Sequence, residues 1–124
     1  MAQPAYSDKH TFLDVIVDGM QNLKAKNITV LDLTDLHSRC TDFFVICQAD
    51  SSVQVSSIAQ SIINEMREQL DESPVQKEGV NNAEWVLLDY GSVIVHVFQS
   101  ETRSHYDIEG LWADANIHEI EDIY

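Results

Sequence analysis

Few residues in this chain can bear a dense negative partner. Against 21 acidic side chains stand only 7 Lys and Arg, and the formal net charge is -14 over 124 residues. Binding DNA or RNA means neutralising phosphates with Lys and Arg, and no basic stripe is offered. Nucleic acid is therefore disfavoured as the direct ligand. A positively charged partner is favoured, because opposite fields steer encounter; acidity also keeps a chain soluble, so charge alone leaves both readings open. Glycine is equally sparse. The four glycines, at 19, 79, 91 and 110, are too far apart to form a phosphate-cradling loop. No G-x-S-x-G nucleophile turn is present. The two cysteines, Cys40 and Cys47, lie seven apart with no CxxC; Cys47 falls in an apolar run and reads as a small buried hydrophobe. A disulfide does not fit a reducing cytosol. No apolar run approaches the ~20 residues of a membrane span. The opening "MAQPAYSDKH" is not a basic region followed by an apolar one. The expectation is a soluble, cytoplasmic protein with no membrane partner.

What is present is enough for one core: 44% of the residues are hydrophobic, and the length fits a single domain over 1–124. Residues 7–26 read as a helix, with Phe12, Leu13, Ile16, Val17, Met20 and Leu23 at helical spacing and Asn27 as its stop. Strands are expected at 28–33 and 42–49, the second apolar enough for a central position. Residues 52–70 carry a stripe of Val55, Ile58, Ala59, Ile62, Ile63, Met66 and Leu70, and Ser51 with Gln54 has capping-box spacing. A short edge strand is expected at 75–79, then two strands around a Gly91-Ser92 turn, then one or two short helices. The acidic tail 115–124 repeats Ile every third residue; a docked short helix or a loose end are both open. The sum is an α/β (α+β) mixed sheet of about five strands flanked by helices.

The hairpin "EWVLLDYGSVIVHVFQ" raises the functional question. Side chains alternate across a sheet. Val86, Leu88, Tyr90, Val93, Val95 and Val97 share one aliphatic face. Trp85, Leu87, Asp89, Ile94, His96 and Phe98 share the other. Large aromatics with a few polar groups suit a partner interface. They equally suit rings packed beneath the chain's own C-terminal segment, with His96 a hydrogen-bonded bystander. Catalytic alternatives are thin. His37, Cys40 and Cys47 lack a fourth metal ligand. Asp32, Asp35 and Asp42 form the one acidic cluster that a divalent metal could use, and without a phosphate cradle capping and solvation are the favoured roles. His105 and Glu109, four apart, read as a surface pair on one helical face.

Four segments in order, "VLDLTDL", "TDFFVICQADSSVQVSSIAQSI", "WVLLDYGSVIVHVF" and "HYDIEGLW", together resemble the ribosomal silencing factor (Iojap/RsfS) family over about residues 8–114. The resemblance implies a nucleotidyltransferase-like sandwich that is not an enzyme and needs no cofactor or metal. It implies binding to ribosomal protein L-fourteen on the large subunit, so that the small subunit is sterically kept away and translation is repressed. By the family pattern the partner-binding residues are Trp85, Asp89, Tyr90, His96 and Phe98 from the hairpin, and Tyr106, Asp107 and Trp112 from the following motif. Tyr90 lies on the core face of the hairpin. Two other readings stay open: a degenerate nucleotidyltransferase using the Asp32 cluster, and a self-associating adaptor whose hairpin face pairs with a second copy as a homodimer.

Overall fold

A computed structural model describes residues 4–36 and 41–122, with side chains from Thr11 onward. The elements are α1 (Pro4–Asn22), β1 (Lys26–Asp32), β2 (Phe43–Ala49), α2 (Ser52–Leu70), β3 (Gln76–Glu78), β4 (Trp85–Asp89), β5 (Val93–Gln99), α3 (Ser100–Tyr106), α4 (Ile108–Leu111) and β6 (Asn116–Ile120). The strands form one sheet in the order β3-β4-β5-β2-β1-β6. β2 runs parallel to β5 at its centre, and the other neighbours are antiparallel.

The α2 stripe does what its spacing dictates, and so does the α1 stripe as far as Met20; Leu23 lies past the end of the helix and is exposed. Val55, Ile58, Ala59, Ile62 and Met66 of α2 are buried against Ile16 and Met20 of α1 and against Val45, Cys47, Val86, Leu88, Val95 and Val97 of the sheet. Ser51 caps α2 by accepting the Gln54 backbone N–H at 3.2 Å. The capping box is only half used: the Gln54 side chain reaches across to the Leu23 carbonyl instead. α1 and α2 meet where Gly19 faces Ile62, and the Ser61 hydroxyl donates to the Gly19 carbonyl at 2.8 Å.

The junction between α1 and β1 differs from the sequence reading. α1 ends at Asn22 because Lys24 takes a left-handed turn (φ 60) that feeds the buried Ala25 into β1. Asn27 does not stop the helix. It sits inside β1 at φ 52, where the β1–β2 register slips between Lys26 and Thr29. That is a bulge, and asparagine is among the few side chains that tolerate it.

The hairpin closes through Gly91 (φ 87) and Ser92, with the Tyr90 N–H on the Val93 carbonyl at 2.9 Å. The two assigned faces follow. Val86, Leu88, Tyr90, Val93, Val95 and Val97 lie in the core under α1 and α2. Phe98, with Trp85 and Ile94 beside it, lies in a second, smaller core with Leu31, Leu33, Phe44, Ile46 and Ile108 on the opposite side of the sheet.

The tail is neither a helix nor loose. Residues 116–120 pair antiparallel with β1, His118 opposite Val30 and Ile117 opposite Leu31. β1 would otherwise leave a row of unpaired backbone groups at the sheet edge, and the tail satisfies them. The sheet therefore has six strands.

Gly19→Ala tests how tightly the helices are locked. Alanine is normally favoured over glycine in a helix by about 0.8–1.0 kcal/mol. Here an added Cβ would lie 2.9 Å from the Ile62 Cα, and overpacking against backbone costs about 1–3 kcal/mol. Urea unfolding is expected to show a net loss of up to about 2 kcal/mol; a stabilised variant would mean the helices separate freely.

Candidate functional site

Register places the aromatic residues together. Trp85 stands opposite Phe98 and Leu87 opposite His96 across the hairpin. The Trp85 indole stacks on Phe98 with centroids 4.9 Å apart, and its Nε1–H donates to His96 Nδ1 at 3.0 Å. Tyr106 leans on the far side of Trp85 at 4.9 Å. Phe44 meets His96 edge-on at 4.7 Å and Trp112 edge-on at 5.6 Å. One chain of rings thus runs from Tyr106 through Trp85 and His96 to Phe44 and Trp112.

This cluster is a core more than an open face. Phe98 is 0% exposed and His96 is 3% exposed. Of the two arrangements that alternation allowed, the hairpin rings adopt the one that packs beneath the chain's own C-terminal segment, with Ile108 of α4 sealing them. Tyr90 is buried too, on the opposite side under the helices. In this conformation Phe98 and His96 lie beneath the α3–α4 surface and shape it from below, while Tyr90 lies under the helices on the other side of the sheet. Trp85 and Trp112 are half-buried at its rim.

His96 is electrostatically distinctive. Burial pushes its pKa from 6.5 down to about 4, so the ring is neutral. Because Nδ1 accepts from Trp85, the proton is assigned to Nε2, which finds no hydrogen-bond partner. A buried neutral imidazole of this kind orients the indole and offers no general base. Burial also pushes the Tyr90 hydroxyl and the Cys47 thiol up to about 12, so neither ionises at neutral pH.

What holds the C-terminal segment in place is Arg103, which sequence reasoning missed. Its Nη1 donates to the Asn27 carbonyl at 2.6 Å and to Gln48 Oε1 at 3.2 Å. Its Nη2 donates to Thr29 Oγ1 at 3.1 Å and to Glu109 Oε2 at 2.6 Å, and its Nε reaches Glu109 Oε1 at 3.4 Å. Arginine carries five N–H donors, and all five are used. The expected His105–Glu109 pairing on one helix does not form. Asp107 takes a left-handed conformation (φ 46) and ends α3, so Glu109 begins a new turn and serves Arg103, while the His105 ring lies against Tyr106. The Asp107 carboxylate caps α4 through the Gly110 N–H.

Outside the cluster, α3 and α4 present apolar surface. Tyr106 is 51% and Leu111 79% exposed, and Ile117 on the adjacent strand is exposed as well. Half-buried Leu36, Ile94 and Trp112 border them on the same side of the sheet. Leu111 and Ile117 were not singled out in the sequence. The signal available was their placement three from Ile108 and Ile120, which on a four-residue helix and an edge strand says little about burial. Asp89 lies about 13 Å from Trp85 along its strand, at the turn, where it accepts the Gly91 N–H at 2.7 Å.

The acidic cluster is spent on local structure. Asp32 accepts from the Thr34 N–H and hydroxyl, Asp35 accepts from the Asn116 amide, and the Asp42 backbone bridges to Leu33 and Ser92. His37 and Cys40 lie outside the described residues. No group of three His, Cys, Asp or Glu among the described residues is placed to hold a metal, and no helix among them is long and apolar enough to cross a membrane.

Comparison with known proteins agrees with this geometry. The family model "Ribosomal silencing factor during starvation" matches residues 6–124. The chain is 35% identical over 117 residues to the ribosomal silencing factor RsfS of Bacillus subtilis, covering 92% of this chain and 95% of that one. It superposes on a crystal structure from Chromobacterium violaceum with a TM-score of 0.79 at 33% identity, covering 84% of this chain and 85% of that one. A second crystal structure, from Bacillus halodurans, gives 0.77 at 32% identity, covering 90% of this chain and 99% of the other.

The buried imidazole predicts an acid-dependent stability. Its folded pKa of about 4 lies below the unfolded value of 6.5, so the unfolded chain takes up the proton first. The contribution is complete above the unfolded value and is lost as pH falls through the interval toward the folded one. Between about pH 7.5 and about pH 5, linkage gives a loss of about 2 kcal/mol. Urea unfolding of the wild type and His96→Gln at both pH values should show this excess loss in the wild type only; equal losses would mean that His96 is not held neutral.

Proposed function

Since the chain belongs to the ribosomal silencing factor family, we propose that it docks through the α3–α4 face on ribosomal protein L-fourteen of the large subunit and sterically keeps the small subunit away. Translation is thereby repressed without any reaction, cofactor or metal. The observation that carries this reading is an exposed apolar patch, Tyr106 and Leu111 with Trp112 beside them, on a chain of net charge -14. Desolvated aromatic and aliphatic anchors supply affinity, and a surrounding acidic field speeds encounter with a basic ribosomal surface. Asp107 and Asp89 supply rim charge. Trp85 supports Tyr106 by ring contact, His96 and Phe98 act from below, and Tyr90 stays on the other side of the sheet under the helices. Direct recognition of nucleic acid is disfavoured by the charge, and the place of action is the cytoplasm.

The same patch supports one further reading. Leu111 is left 79% exposed, and a homodimer through this face would cover it when no ribosome is present. Dimer and ribosome complex would then be mutually exclusive. The nucleotidyltransferase-like enzyme has no observation in its favour, because Asp32 is engaged by Thr34 and Asp35 by Asn116 of β6.

Leu111→Asp and Tyr106→Ala are each expected to weaken binding to isolated large subunits by about 2 kcal/mol, roughly thirtyfold, with unfolding unchanged for Leu111→Asp and stability lowered by about 1 kcal/mol for Tyr106→Ala through its lost contact with Trp85. Sucrose-gradient co-sedimentation reads the affinity, and light scattering of subunit joining reads the loss of repression. Wild-type binding by both variants would remove this face from the interface. Raising salt should slow association more than it speeds dissociation.

A further inference from the structure

The face opposite the α3–α4 side is incompletely covered. α1 and α2 lie over β2, β5 and β4, and Ile28 and Val30 of β1 are buried in the same core; β6, at the sheet edge, has no buried residue. A trough of about 650 Å³ remains between α1 and the sheet edge. Its floor and walls are apolar: Leu13 and Val17 from α1, Val30 and Phe43 from the strands, and Ile120 from β6. Leu13, Val17 and Ile120 are only half-buried. The rim is acidic, with Asp14 and Asp18 along α1 and Asp32 at the strand end. Among the described residues, His118 is its other polar lining residue.

Leu13 and Val17 are one helical turn apart, as are Asp14 and Asp18, so α1 offers an apolar ridge flanked by a parallel acidic one. A helix laid beside α1 would complete the helical layer over the sheet. Its buried stripe would need aliphatic residues three and four apart, and its flanks Lys or Arg to meet the three carboxylates.

We infer that the trough between α1 and β6 is a second docking site, for a basic amphipathic helix of a protein partner, on the side of the sheet away from the proposed ribosome-binding face. The protein would then carry two protein-binding surfaces separated by one sheet. A bound helix would be compatible with ribosome docking, because the two faces share no exposed residue.

The probe is a synthetic peptide of about 18 residues, five helical turns, with Leu on one helical stripe and Lys on both flanks. A scrambled peptide of the same composition and a Leu/Glu counterpart serve as controls, all titrated into the isotope-labelled full chain at physiological salt. The Leu/Lys helix is expected to shift amides in 13–18, 28–32 and 116–120, and the controls to leave them in place. Val17→Lys and the double variant Asp14→Lys, Asp18→Lys should each weaken it by about tenfold or more, with large-subunit binding as in the wild type. Equal binding of the scrambled peptide, shifts confined to α3–α4, or undiminished affinity in both variants would overturn the assignment. So would a self-association of the wild type that Val17→Lys abolishes, since a second copy would then be the occupant. Loss of ribosome binding by Leu111→Asp, with peptide binding retained, keeps the two faces experimentally distinct.

Discussion

The buried guanidinium of Arg103 is the constraint on which the placement of α3 and α4 depends. An unpaired charge in a protein interior costs several kcal/mol, so Arg103 is tolerable only while its donors are filled. The partners come from four places: the bulged Asn27 and Thr29 of β1, Gln48 at the end of β2, and Glu109 beyond the break in the helix. Each must be in position for the others to be satisfied. The left-handed Asn27 and Asp107 both serve this arrangement, one turning its carbonyl inward and the other bending the chain so that Glu109 returns. α3 and α4 are thereby pinned to the sheet at a fixed height and angle.

From that pin the rest follows. With α4 in place, Ile108 closes over Phe98, Phe44 and Ile46, and the rings of Trp85 and His96 lock by a hydrogen bond and stacking. The interior of the small core is therefore rigid, and its lid is short. Such a lid cannot bury both sides of itself, so Tyr106 and Leu111 point to solvent. An aromatic core that holds a thin, apolar-faced lid is a sound base for binding, because the contacting side chains lose little freedom when a partner arrives. The larger core on the other side does a separate task. It fixes the sheet, and its incomplete cover leaves the acid-rimmed trough.

Local periodicity made much of this fold readable in advance. The α2 stripe, the central burial of β2 and the two faces of the hairpin all depend on spacing within one segment, and all appear as read. Nonlocal choices were not readable. Nothing in "ANIHEIEDIY" states that β1 needs a partner, and the three-residue spacing of its isoleucines mimicked a helix. Arg103 stands among polar residues and looks like any surface cation until β1 and β2 are folded beneath it. The motif residues do converge, Trp85, His96, Phe98 and Tyr106 in one cluster and Trp112 through Phe44. Their sequence could not say which would be lid and which floor, because that depends on where a seven-residue helix ends.

The most direct test of the account is amide hydrogen exchange across the whole chain, free and bound to purified large subunits. The segment 104–112 is expected to gain strong protection on binding, together with the neighbouring edge at 117, while the outer surface of α2 exchanges as before. Protection that appears on α2 or β3, with 104–112 unchanged, would contradict the claim that the Arg103-pinned lid is the surface that meets the ribosome.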